Sequence, residues 1–106
     1  MLVKTDSFTE FVVDQLEGLE GLVCKRMFGG FGLYLKKNFF AILFQGKLYF
    51  KITPETVSRY RAKKSKPFVY AKKGKKTIRL KNYYEVPVAI LEDRAKLKIW
   101  AFEAAS

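Results

Sequence analysis

Histidine is absent from this chain, and cysteine occurs once, as Cys24. Without histidine the chain lacks the commonest general base and the commonest zinc ligand. A single thiol besides excludes the usual structural zinc sites, so neither a metal nor another cofactor is expected. One cysteine forms no intramolecular disulfide. No apolar run approaches the ~18 residues of a membrane span, and Met1 to Asp6 lack the apolar core of a secretory signal. The expectation is a cytoplasmic protein with no membrane partner. Acids are scarce in one region. Residues 47–81 hold thirteen cations and a single acid, Glu55, while 1–46 and 82–106 are close to balanced. The net charge of +11 therefore comes from one central block, which suits nucleic acid, an anionic surface or an acidic partner.

What is present suffices for one domain. The 106 residues are 49% apolar, with ten Phe and six Tyr, which supports a real core and argues against disorder. An aromatic share of 16% is more than a small core needs, and surplus aromatics favour interfaces, a homodimer among them.

Ser7-Phe8-Thr9-Glu10 fits a capping box with Ser7 as N-cap, opening a helix over 7–17. Four strands are expected next: Val23–Phe28, Phe31–Leu35, Phe39–Phe44 and Lys47–Ile52. Their short connections force antiparallel neighbours. The third is apolar at every position, so it reads as a central strand covered on both sides. Thr53-Pro54-Glu55 reads as a helix start, with Thr53 as N-cap and Pro54 at the first helical position. Phe68–Lys72 and Lys76–Leu80 form a second hairpin, Asn82–Val86 continues extended, and Pro87 ends it. Asp93 caps a last helix whose Leu97, Trp100, Ala101 and Ala104 make one stripe. The fold class is α+β with an antiparallel sheet of about six strands. Its order is helix, four strands, helix, two strands, helix.

Three segments invite a functional reading. Gly29-Gly30-Phe31-Gly32 lies between strands, matches neither dinucleotide nor Walker patterns, and reads as a turn or bulge before it reads as a phosphate loop. Lys63, Lys64 and Lys66, with Lys72, Lys73, Lys75 and Lys76, form a basic segment interleaved with Tyr60, Phe68 and Tyr70. Two readings of it stand: weak, salt-sensitive, non-specific nucleic-acid contact, or a solvated edge that resists aggregation. Tyr83-Tyr84-Glu85-Val86-Pro87 combines aromatics, an acid and a terminating proline, and Arg26 is a candidate ion-pair partner for Glu85. Cys24 reads as a buried strand residue, since no second thiol or histidine supports chemistry there. Cys24, Tyr34 and Glu85 would make an enzyme only if a deep pocket gathered at least two of them. No catalytic residue is assigned, and a non-enzymatic module is expected.

Residues 7–104 resemble the N-terminal domain of the TfoX (Sxy) family of bacterial competence regulators. The most specific part is Arg26-Met27-Phe28-Gly29-Gly30-Phe31-Gly32-Leu33-Tyr34. Lys47-Leu48-Tyr49-Phe50-Lys51, Pro67-Phe68-Val69-Tyr70 and Tyr83-Tyr84-Glu85-Val86-Pro87 support it. The resemblance implies a secretion-chaperone-like α+β fold and a regulatory module acting through protein contacts. It also implies a link to transcriptional control of DNA uptake alongside the cAMP receptor protein. Full-length members carry a second, C-terminal domain of helix-hairpin-helix-like character, whereas this sequence ends at Ser106. The lysines of 63–76 are not part of the family motif.

Overall fold

Asp6 opens the first helix of the computed structural model, which describes residues 6–27, 29–71 and 77–106. Its carboxylate accepts the Thr9 backbone N–H at 2.7 Å, so the cap of α1 (Ser7–Gln15) is Asp6 and not Ser7. Either side chain can serve. Val12 and Leu16 are fully buried. The strands that follow are β1 (Leu22–Met27), β2 (Gly30–Leu35), β3 (Asn38–Phe44) and β4 (Lys47–Lys51). Each pairs antiparallel with the next, as their short turns require.

After β4, regular helix begins only at α2 (Val57–Ala62). Thr53 does not cap it with its side chain, as the sequence suggested. The Thr53 N–H instead donates to Thr56 Oγ1 at 2.9 Å, and the Thr53 carbonyl accepts from Thr56 and Val57. That tight turn takes up the residues expected to be helical. β5 (Pro67–Ala71) and β6 (Thr77–Glu85) follow, and β6 absorbs the extended stretch expected at 82–86. Pro87 ends it and opens a short α3 (Val88–Leu91), which the sequence reading missed. Asp93 caps α4 (Arg94–Ala104) through the Lys96 N–H, as expected.

The six strands form one antiparallel sheet in the order β1-β2-β3-β4-β6-β5. Residues opposite each other across a ladder share a face. Phe31, Leu33, Leu43, Leu48 and Phe50 therefore point to one side, where Val12, Leu16, Ile90, Leu97 and Ala101 of the helices cover them. Among the described residues, no helix residue joins the buried cluster of the other side, which includes Ile42, Tyr49, Phe68 and Tyr83.

β3 is buried on both faces, but by different means. Helices cover one face, and the sheet's own far end covers part of the other. The Phe44 ring on β3 lies 5.7 Å from Phe68 and 5.2 Å from Tyr70 on β5, centroid to centroid. On a flat sheet, side chains three strand positions apart would stand about 14 Å apart. The reach of the two rings and the twist of the sheet together close that gap, bringing the β5 side chains over β3. A bulge in β6 allows this, since Pro67 faces Tyr84 whereas Phe68 faces Leu80.

Candidate functional site

The face without helices gathers most of the residues that made the sequence distinctive. Across the β1–β2 ladder, Lys25 faces Gly32 and Met27 faces Gly30, on the side away from the helices. Tyr34 follows on β2, and the register continues through Phe39, Ile42 and Phe44 on β3 to Lys47, Tyr49 and Lys51 on β4. Tyr83 faces Lys51, and Glu85 faces Tyr49. Met27, Gly30, Gly32, Tyr34, Tyr83 and Glu85 thus share one face of the sheet.

The glycines of β2 are spacers for the rings of β3. A methyl group on Gly30 would overlap the Leu43 carbonyl oxygen and press on the Phe44 ring at 3.1 Å. On Gly32 it would stand 2.8 Å from Met27 Sδ and 2.9 Å from the Phe39 ring. Without side chains on β2, Phe39 and Phe44 lie across the strand. Phe39 then sits between Tyr34 at 5.2 Å and Tyr83 at 5.3 Å, a row of three rings. Lys25 Nζ stands 5.1 Å over the Tyr34 ring. Tyr49 packs edge-on against Phe68 at 4.9 Å. Burial, with the neighbouring Tyr34, pushes the Tyr83 hydroxyl up to about 12. Burial, with the Glu85 charge nearby, also raises that of Tyr49.

At one end of this face a cleft of about 380 Å³ opens between Lys37, Asn38, Phe39, Lys51, Tyr83 and residues 104–106. The Asn38 side chain donates to the Ala105 carbonyl at 2.8 Å and ties the end of α4 to the cleft wall. Lys25 and Lys47 are exposed and Lys51 half-buried. Glu85 is the single carboxylate on the face among the described residues.

The remaining motif residues lie elsewhere. Gly29 is exposed in the β1–β2 turn with a positive φ of 82°. Phe28 lies outside the described residues. Arg26 and Tyr84 project to the helix-covered side, and Pro87 begins α3. The suggested Arg26–Glu85 ion pair does not form. The two residues sit four strand positions apart on opposite faces, and the Arg26 guanidinium lies 5.7 Å over the Phe31 ring.

Lys63, Lys64 and Lys66 are exposed in the α2–β5 connection. Lys72, Lys73, Lys75 and Lys76 lie outside the described residues. Cys24 is buried on the helix-covered face, and burial raises its thiol pKa, with the Asp6 charge adding to the rise. Tyr34 is on the other side of the sheet, and Glu85 is three strand positions from Tyr34. Cys24, Tyr34 and Glu85 therefore do not converge.

The sequence reading missed Lys25, Lys47, Lys51, Phe39 and Phe44 as members of a common surface. The signal was present in Lys47-Leu48-Tyr49-Phe50-Lys51, whose alternate residues must share a face in a strand.

A family model of the TfoX N-terminal domain matches residues 14–106. The chain belongs to that family. The match covers the whole sheet. A search among curated proteins finds no match to this TfoX-family chain.

Proposed function

We propose that this TfoX-family domain is a non-enzymatic regulatory module of the bacterial cytoplasm that acts by docking to a protein of the transcription apparatus. Family membership supports a regulatory role, with transcriptional control of competence and DNA uptake as its setting. The observation that carries the docking surface is on α4. Ile99 and Phe102, one helical turn apart, are each 58% exposed. Beside Phe102 an open groove of about 440 Å³ is lined by Leu19, Leu35 and Lys36. Large apolar side chains held out on a rigid helix next to a groove suit protein contact. Lys36 in the groove and exposed Lys96 near the start of α4, set against Glu20 in the groove wall, favour a partner carrying carboxylates around its apolar centre, while Arg94 is held by Asp14 at 2.9 Å.

The test is retention of the cAMP receptor protein, on its DNA, by the immobilised domain. Retention that fails with Ile99→Glu and Phe102→Glu supports the reading. Retention that is absent, or unaffected by both changes, removes it.

A second reading has one observation in its favour. Lys63, Lys64 and Lys66 are exposed together in a single connection, a geometry suited to weak phosphate contact. If segment 63–76 neutralises four phosphates, binding to duplex DNA should fall with a log–log salt slope near −3.6.

A further inference from the structure

We infer that the helix-free face of the sheet is a binding platform for single-stranded nucleic acid, held by base stacking and phosphate contact. The inference rests on neither the α4 docking surface nor the 63–66 connection.

The face is costly to build. Glycines at the first and third positions of β2 weaken the strand. Here they are placed so that Phe39 and Phe44 can lie over β2. The result is the row Tyr34, Phe39 and Tyr83, with Tyr34 and Phe39 half-buried and, among the described residues, no helix packed over them beyond the end of α4 at the cleft wall. An ordinary second core would be closed by aliphatic side chains or a covering layer. Instead, Lys25 places its ammonium over the Tyr34 ring at 5.1 Å. An ammonium stays hydrated, so that ring face is turned to water.

Charge selects the occupant. Lys25, Lys47 and Lys51 flank the rings against one carboxylate, Glu85, and Lys37 extends the positive rim at the end cleft. Aromatic rings at strand spacing, bordered by lysines, fit a chain that alternates flat apolar bases with phosphates. A duplex fits poorly, because its bases are stacked on each other and present only edges in the grooves. Base faces and phosphates are common to RNA and DNA, so this platform does not discriminate between the two sugars.

The experiment is a fluorescence anisotropy titration of the intact domain at ~50 mM salt. The probes are a twelve-residue oligo(dT), an oligo(U) of the same length, an abasic strand with the same phosphates, and a duplex. Both single strands are expected to bind within a few-fold of each other, and the abasic strand at least ~5-fold more weakly. Three lysine contacts give a single-strand salt slope near −2, and Lys25→Glu with Lys47→Glu should remove more than half of it. Tyr34→Ala should weaken the oligonucleotides but not the abasic strand. Trp100 lies on the helix side against Tyr60 at 4.9 Å, so its unchanged emission shows that each variant is folded. Equal affinity for the abasic strand, preference for the duplex, or absence of binding overturns the inference. So does loss of binding in Lys63→Glu/Lys64→Glu/Lys66→Glu but not in Lys25→Glu/Lys47→Glu.

Discussion

The two faces of this sheet solve burial in opposite ways. On the helix side, Leu33, Phe40, Phe50 and Leu97 are fully buried in one continuous cluster with α1, α3 and α4. On the other side, Ile42 and Phe68 are just as buried, but the residues around them are half-exposed rings and lysines. The first face is specified by volume: apolar side chains at alternate strand positions meet apolar stripes on helices. The second is specified by shape, through two glycines and the register shifts in the β2–β3 and β5–β6 ladders. A face held by shape has freedom to keep side chains that contribute little to stability.

The largest test of that contrast is truncation. Phe50→Ala removes a fully buried ring that packs on Phe40 at 5.7 Å, and should cost about 3–5 kcal/mol. Tyr34→Ala, on the open face, should cost less than ~1 kcal/mol. Urea midpoints at unchanged slope would measure both. Equal costs would mean that the open face is a second core.

Adding a methyl group sharpens the comparison within one strand. At Gly30 the new Cβ meets backbone, the Leu43 carbonyl, which moves only if the β2–β3 ladder moves. Gly30→Ala should therefore cost about 3 kcal/mol. At Gly32 it meets the tips of Met27 and Phe39, which can rotate away, and the cost should be about 1 kcal/mol. Thermal unfolding of the two variants would show the difference. Gly32→Ala should also disturb the Tyr34–Phe39–Tyr83 row in aromatic proton spectra.

Alkaline titration tests tyrosine burial on each face. Burial raises the hydroxyl pKa of Tyr60 and, to about 12, that of Tyr83. The folded values exceed the unfolded one, near 10, so the neutral form is favoured by folding. Stability is then unaffected below pH 10 and falls as pH rises from 10 toward 12. Tyrosinate absorbance should show Tyr60 and Tyr83 ionising late, together with loss of Trp100 packing. If Tyr60 and Tyr83 ionised near 10, the burial assigned to both faces would be wrong.

Much of this architecture was legible in the chain because local signals agree with the fold. Strand-length segments joined by short connections specified β1 to β4 and their antiparallel order, and Asp93 marked the start of α4. The elements misread were those decided by tertiary packing. α3 is a single turn with no capping side chain, and the bulge in β6 depends on the packing that brings the β5 side chains over β3. The candidate site was half legible. The glycine run was visible as a backbone device, but which rings lie over it follows only from the register of β2 against β3. Pairing Arg26 with Glu85 failed for the same reason, since strand order cannot be read from two isolated charges.

The smallest effect concerns the helix side alone. The Asp6 carboxylate caps α1, and its hydrogen bond to the Thr9 backbone holds its pKa below the usual carboxylate value. Asp6→Ala should cost about 1 kcal/mol near neutral pH, whereas Ser7→Ala should cost close to nothing. The folded pKa is the lower one, so the contribution is present above the unfolded value near 3.9 and fades as pH falls through the folded one. α1 covers the cluster that contains Val12, Leu16 and Cys24. A loosened α1 should therefore speed labelling of the Cys24 thiol by a few-fold while leaving the Tyr34–Phe39–Tyr83 row unchanged. Faster labelling accompanied by changes in those rings would show that the two faces are one cooperative unit, and that the separation between them holds in composition but not in stability.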